Sequence, residues 1–278
     1  MITSPTWRTI RLVHPFPSLV NATIVLGLAL IAGGSMERAL MLALGMLGLQ
    51  FCIGATNDLV DATLDAGSKP WKPIPSGLVS RRTAVVVAVL SGGLGLALAA
   101  LAGPIVAALA VAMLSCGLIY DLYLKPTAWA WACFAVAFAL LPLYAWYGAS
   151  GQLPPRLELL LPLAALAGPL IQLSNGLSDL ESDRAAGLPT LAARLGRRRT
   201  LQLIAAMLLV IHGIAWLTLA PTGSIAVVVA CVAATTLAVI GLALSAQLDR
   251  DRRELGWMVQ AASLGLLGLG WLGAAVNQ

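Results

Sequence analysis

Two short polar stretches hold most of the residues able to do chemistry. The first runs from Asn57 to Gly77, NDLVDATLDAGSKPWKPIPSG. Asp58, Asp61 and Asp65 fall at helical spacings of three and four, so their carboxylates share one helix face. Three like charges so placed repel one another and call for positive charge. Lys69 and Lys72 follow at once, but an ammonium is a point charge and does not gather three carboxylates. A divalent cation does, Mg²⁺ above all, held partly by carboxylate and partly by phosphate oxygen. The second stretch, Asn175 to Gly187, reads NGLSDLESDRAAG, and Asn175, Asp179 and Asp183 repeat the spacing of Asn57, Asp61 and Asp65. Each stretch ends an apolar segment and leads into an Arg-rich run closed by a threonine, Arg81-Arg82-Thr83 and Arg197-Arg198-Arg199-Thr200. An acidic solvated loop is the plain alternative for either stretch alone; the matched pair argues against it.

A third cluster, Tyr120, Asp121, Tyr123 and Lys125, ends another apolar segment. Its lysine could bind an anion and its hydroxyls a phosphate oxygen. Five aspartates and two asparagines on two helix ends, with Lys69, Lys72, Lys125 and Arg184 nearby, suit a diphosphate bridged by Mg²⁺ and clamped by cations. Apolar helices beneath would house a hydrocarbon chain. An allylic diphosphate has both parts, and ionising its C–O bond gives a carbocation that needs a cavity free of stray water.

The elements that must position these groups are membrane helices. The 278 residues are 59% hydrophobic and only 10% charged, against about 25% charged in soluble domains. Mean hydropathy is +0.90. A span needs about 20 mostly apolar residues, and nine fit: 17–35, 39–57, 83–102, 104–120, 128–148, 157–177, 201–220, 224–246 and 256–276. No alternation of barrel strands is present, and lipid leaves helices as the assignment. The pattern predicts a single domain over 1–278, with pseudo-repeats 17–125 and 128–246 and a ninth helix at 256–276. The first span is too long for a signal-peptide core, so a cleaved leader is not expected.

The loop ends that carry the polar clusters hold 15 of the 17 Lys and Arg; only Arg38 and Arg156 lie on the other side. The positive-inside rule puts the N-terminus and both islands in the cytoplasm and the C-terminus opposite. The net charge of +5 is therefore read as membrane orientation, not as a nucleic-acid footprint. The far side has short turns such as Pro221 to Ser224. Trp129, Trp131, Trp146, Trp216, Trp257 and Trp271 mark span ends and read as an interfacial belt. The glycines at 92, 93 and 95 and at 265, 268, 270 and 273 read as close helix packing. Cys52, Cys116, Cys133 and Cys231 form no ligand pattern and read as buried apolar residues. His212 reads as a hydrogen-bonded interior residue. Asn21, Gln50 and Gln172 are polar within spans and could face one cavity, where with Arg11 they are candidates for acceptor binding; interhelical hydrogen bonding is an equal reading.

Together, NDxxDxxxD at Asn57 to Asp65, the following proline-rich stretch to Ser76-Gly77, YDxxxK at Tyr120 to Lys125 and DxxxDxxxG at Asp179 to Gly187 resemble the UbiA superfamily of intramembrane prenyltransferases. The resemblance extends over nearly the whole chain. It implies nine helices around a central cavity, two Asp-rich motifs holding Mg²⁺-diphosphate under a cytoplasmic cap, and transfer of an isoprenyl chain from a polyprenyl diphosphate to a small acceptor. Carried over by position, Asn57, Asp61, Asp65, Asn175, Asp179 and Asp183 hold metal, with Asp58 in the motif as a ligand or supporter. Asp61, Asp65, Asp179 and Asp183 are the catalytic carboxylates. Lys69, Lys72, Tyr120, Lys125 and Arg184 contact diphosphate. Lysine stands at 72 where the family often has arginine, which gives up bidentate phosphate binding.

The expected acceptor is aromatic, of the 4-hydroxybenzoate or quinone-precursor kind. The alternatives are a terpene cyclase or a lipid-forming enzyme that uses a phosphosugar or glycerol phosphate. A cation-coupled transporter and a silent scaffold are readings from other classes. Transporters place ionisable sites near the membrane midplane, whereas these islands sit at span ends.

Overall fold

A computed structural model describes residues 5–219 and 225–275, all helix and connecting turns, with no strand among them. The turn at Pro221 to Ser224 lies outside the described residues. A short helix α1 (Pro5–Ile10) precedes α2 (Pro15–Ile31), α3 (Met36–Ser68), α4 (Arg81–Ala102), α5 (Pro104–Ile119) and a π-helical turn (Tyr120–Leu124). Then come α6 (Ala130–Ser150), α7 (Leu157–Ser178), the six-residue α8 (Leu180–Ala185), α9 (Leu191–Leu219), α10 (Ile225–Ser245) and α11 (Arg250–Ala275).

Eight of these helices are long and apolar enough to cross a membrane; α2 is apolar but has 17 residues. At 1.5 Å per residue α2 spans about 25 Å, short of a hydrocarbon core of about 30 Å. The expected nine spans thus become eight of full length and one shorter apolar helix, among the described residues. In chain order each long helix packs on the next, and α11 returns to α2, so the bundle closes on itself around a central cavity.

Local chemistry sets the boundaries. The side chains of Ser35 and Ser80 accept from the backbone N–H of Arg38 (3.2 Å) and Thr83 (3.0 Å), starting α3 and α4. Between α4 and α5, Gly103 takes φ 128° and Pro104 occupies the first turn of the next helix, so the tight break expected there is real. Beyond the apolar span expected to end at residue 57, helix α3 continues through the whole acidic island to Ser68, as the shared helix face of its carboxylates requires. Its 33 residues make a rod of about 50 Å that overshoots the apolar core and carries Asp58, Asp61 and Asp65 to its end. Close packing holds α3 against α4: a Cβ on Gly48 would lie 2.6 Å from the Ser91 carbonyl oxygen, and one on Gly95 would lie 2.8 Å from that of Gly45. Of the glycines expected to pack, Gly93 and Gly268 face open space instead.

At the end of the bundle away from the islands, Arg38 donates from Nε to the Gly148 carbonyl and from Nη2 to that of Ala102, both at 2.7 Å. One guanidinium thus satisfies the C-terminal ends of α4 and α6. His212 is buried and hydrogen-bonded to Thr235 (3.2 Å) and Ser263 (3.3 Å), as an interior residue should be. The belt reading of the tryptophans holds only in part. Trp129 is exposed, but Trp146 and Trp271 are buried, because their indoles fill helix contacts, with Trp271 donating to Thr218. All four cysteines are free thiols; Cys52, Cys133 and Cys231 are buried.

Candidate active site

A cavity of about 1730 Å³ runs from the island end into the bundle. Its inner walls are apolar, with Met46, Met113, Phe134, Phe138, Leu163 and Leu267 among the lining. Its mouth is polar. Asn57, Asp58, Asp61, Asp65, Asn175, Asp179 and Asp183 all line it, from α3 on one wall and the α7–α8 junction on the other. So do Lys69, Lys72, Tyr120 and Lys125. The two distant acidic stretches therefore meet.

Each carboxylate has a partner of opposite charge or a donor. Lys72 Nζ sits 2.8 Å from Asp58 Oδ1 and 2.6 Å from Asp65 Oδ2. Burial alone would lower the Lys72 pKa, but the two carboxylates outweigh it and raise it. Lys125 pairs with Asp61; burial opposes its charge, yet Tyr120, Asp61 and Asp121 push its pKa upward. Lys69, just past the end of α3, reaches across to Asp179 of the second island at 3.0 Å. Arg250, from the first turn of α11, meets the same carboxylate at 2.9 Å and donates from Nε to the Ser178 carbonyl (3.2 Å). Burial would raise Asp179, but Lys69 and then Arg250 hold it below the usual carboxylate range. Asp183 makes no such ion pair among the described residues. Burial pushes its carboxyl up, only partly offset by the Thr190 hydroxyl donating to Oδ2 at 3.1 Å.

Several assignments need revision. Asp58 is 1% exposed and enclosed by Lys72 and by His14 Nε2 (3.1 Å). So enclosed, Asp58 supports Lys72, the second of the two roles considered for it. Arg184 does not line the cavity: its guanidinium turns to the Ala193 carbonyl (3.5 Å) at the start of α9. Its expected place is taken by Arg250. Asn21, Gln50, Gln172 and Arg11 do line the cavity. Gln172 is buried, and its Oε1 has no hydrogen-bond partner among the described residues. Asp121, left in the background by the sequence reading, accepts from Asn57 Nδ2 at 2.7 Å and so fixes the first residue of the first island.

Among the described residues no three His, Cys, Asp or Glu side chains converge on one point. The donors nevertheless suit a hard cation. Asn57, Asp61, Asp65, Asn175, Asp179 and Asp183 present oxygen ligands from opposing walls, and lysine ammonium groups balance their charge. Hard oxygen ligands and cations at the mouth of an apolar cavity define a membrane-embedded enzyme that handles an anionic head group on a hydrocarbon chain.

Comparison with known proteins makes this specific. The model of the UbiA prenyltransferase family matches residues 20–276, and the chain belongs to that family. It is a prenyltransferase. Digeranylgeranylglyceryl phosphate synthase of Methanoregula boonei is 33% identical over 191 residues, 67% of this chain and 68% of that protein. Chloroplastic chlorophyll synthase of Oryza sativa subsp. japonica is 36% identical over 152 residues, 50% of this chain but 40% of that one. Among solved structures, a UbiA homologue from Aeropyrum pernix K1 has a TM-score of 0.74 at 18% identity, covering 91% of this chain and 96% of its own. A UbiA homologue from Archaeoglobus fulgidus bound to GPP and Mg²⁺ has a TM-score of 0.69 at 18% identity, covering 98% and 100%.

Proposed function

We propose that the protein transfers an isoprenyl chain from a polyprenyl diphosphate to a hydroxyl of a glyceryl phosphate-type acceptor, dependent on Mg²⁺, at the cytoplasmic face of the membrane. The observation that carries the proposal is the shared cavity: two acidic islands and their lysines at its mouth, apolar walls below. Bound Mg²⁺ would neutralise charge on the departing diphosphate, held by Asn57, Asp61, Asp65, Asn175, Asp179 and Asp183.

The chain's own residues account for the rest. Lys69, Lys72, Lys125 and Arg250 ring the mouth and can exchange a carboxylate for a phosphate oxygen. The C–O bond of the donor breaks with its electron pair leaving on the diphosphate. The apolar walls keep water from the allylic cation. A lone pair of the acceptor hydroxyl forms the new C–O bond, and its proton passes to a mouth carboxylate or to the released diphosphate.

The acceptor assignment departs from the aromatic one expected from the sequence. Its support is twofold. The relatives include a digeranylgeranylglyceryl phosphate synthase matching two thirds of the chain. Arg11 lines the mouth and makes no ion pair among the described residues, leaving a cation for an acceptor phosphate. The test is mass spectrometry of products after offering prenyl diphosphates of increasing length with a prenylated glyceryl phosphate, 4-hydroxybenzoate and a naphthoate. An ether on the glyceryl phosphate is expected. A prenylated phenol or naphthoate in its place overturns the acceptor assignment.

A further inference from the structure

Helix α8 is too short to hold itself in place. It has six residues and is preceded by Asp179, whose φ of −105° and ψ of 7° break it from α7; isolated helices below about 12 residues are marginal. Yet it carries Asp183 and is flanked by Asp179. An external support has to fix its rotation.

Part of that support is packing on α9, with Thr190 on Asp183; the charged part comes from α11. Arg253 is 2% exposed and makes a two-pronged pair with Glu181, Nη1 lying 3.0 Å from Oε1. The chain keeps a guanidinium buried with its Nε unpartnered, which is costly. Nor does the placement favour α11. Arg250 and Arg253 stand in its first turns, where the helix dipole opposes positive charge. Both arginines are instead directed at the second island, Arg250 to Asp179 and Arg253 to Glu181.

Helix geometry gives the pairing its consequence. The bond from Asp183 N to Asp179 O, 2.8 Å long, shows that one helical turn spans the two residues. At about 100° per residue, positions 179 and 183 are some 40° apart, and 181 points to the opposite side. Pinning Glu181 against α11 therefore turns both aspartates toward the cavity. We infer that Arg253 is a positioning residue, acting through Glu181 to orient Asp179 and Asp183 for Mg²⁺-diphosphate. The inference rests on the proposed role of the second island.

The experiment compares Glu181→Gln, Arg253→Lys, Arg253→Met and the double variant Glu181→Gln/Arg253→Met in the full chain. Hydrogen exchange over residues 179–188 is followed without metal, and binding of inorganic pyrophosphate is titrated with Mg²⁺. Asp179→Asn serves as the control. Glu181→Gln is expected to speed exchange and to raise the Mg²⁺ concentration for half-maximal pyrophosphate binding by about tenfold. The double variant should be no worse than the worse single one, and Arg253→Lys should recover part of the loss. If Asp179→Asn abolishes binding while Glu181→Gln leaves it unchanged, the positioning role is wrong. If Asp179→Asn also leaves binding unchanged, the role of the second island itself is wrong. Should Arg253→Met not fold, Glu181→Gln decides, since Glu181 is 64% exposed and its substitution opens no cavity.

Discussion

Replacing Lys72 with methionine tests the charge arrangement of the first island most directly. The ammonium lies 2.8 Å from one carboxylate and 2.6 Å from another, and its own side chain is 18% exposed. Methionine keeps the length and apolar stem but removes the charge. Asp58 retains His14 at 3.1 Å. Asp65 Oδ2 meets no cation but Lys72 among the described residues and depends on it for charge balance. Breaking a buried pair on one side costs about 3–5 kcal/mol, a shift in the folded-to-unfolded ratio of roughly 150-fold to several thousand-fold. Lys72→Met is thus expected to unfold at a markedly lower temperature in detergent. Lys72→Arg, which keeps the charge, should lie near the parent. Because the new deficit is unpaired carboxylate, added Mg²⁺ should stabilise Lys72→Met more than the parent. Equal melting of the methionine variant and the parent, with the same response to Mg²⁺, would refute the claim that this lysine balances two carboxylates.

Three further outcomes follow from the site and the packing. Asp61→Ala or Asp183→Ala should abolish diphosphate release in a folded protein, and EDTA should do so reversibly in the parent; turnover like the parent's in either variant would end the metal assignment. As pH falls, Asp183, held above the usual carboxylate range, takes a proton before Asp179, held below it. The acid limb of Mg²⁺-dependent activity should therefore follow Asp183, and Thr190→Val, which removes the donor that favours its ionised form, should move that limb to higher pH in a pH–rate profile. Stability runs by the same signs: the Asp179 contribution is lost as pH falls through its lowered value, and that of protonated Asp183 is lost as pH rises past the ordinary carboxylate value. Gly48→Leu forces a side chain where even a Cβ comes within 2.6 Å of a backbone oxygen; a destabilisation of about 1–3 kcal/mol or more is expected on thermal unfolding.

The sequence made the helices legible because hydropathy is a property of consecutive residues. It made Asp61, Asp65, Asp179 and Asp183 legible because their spacing is regular. Lys69, Lys72 and Lys125 were within reach as cations beside the islands. Arg250 and Arg253 were not, since nothing local says that α11 packs on α7. Arg184 was misplaced for the reverse reason. It adjoins Asp183 in sequence, but neighbouring positions on a helix point about 100° apart. Asp58 shares the acidic face, and its burial against His14, from a segment 44 residues away, sets its surroundings apart from those of Asp61.

The two ends of the bundle are fastened by different kinds of tie. At one end Arg38 is bonded to main-chain oxygens of α4 and α6, and no incoming anion competes for a cation already satisfied by carbonyl groups that must stay paired. At the other, α3, α7 and α11 are joined by ammonium and guanidinium groups resting on carboxylates. An arriving diphosphate can take over those cations one at a time. The fastening at the island end is thus one that an anionic guest could contest, and the fastening at the far end is not.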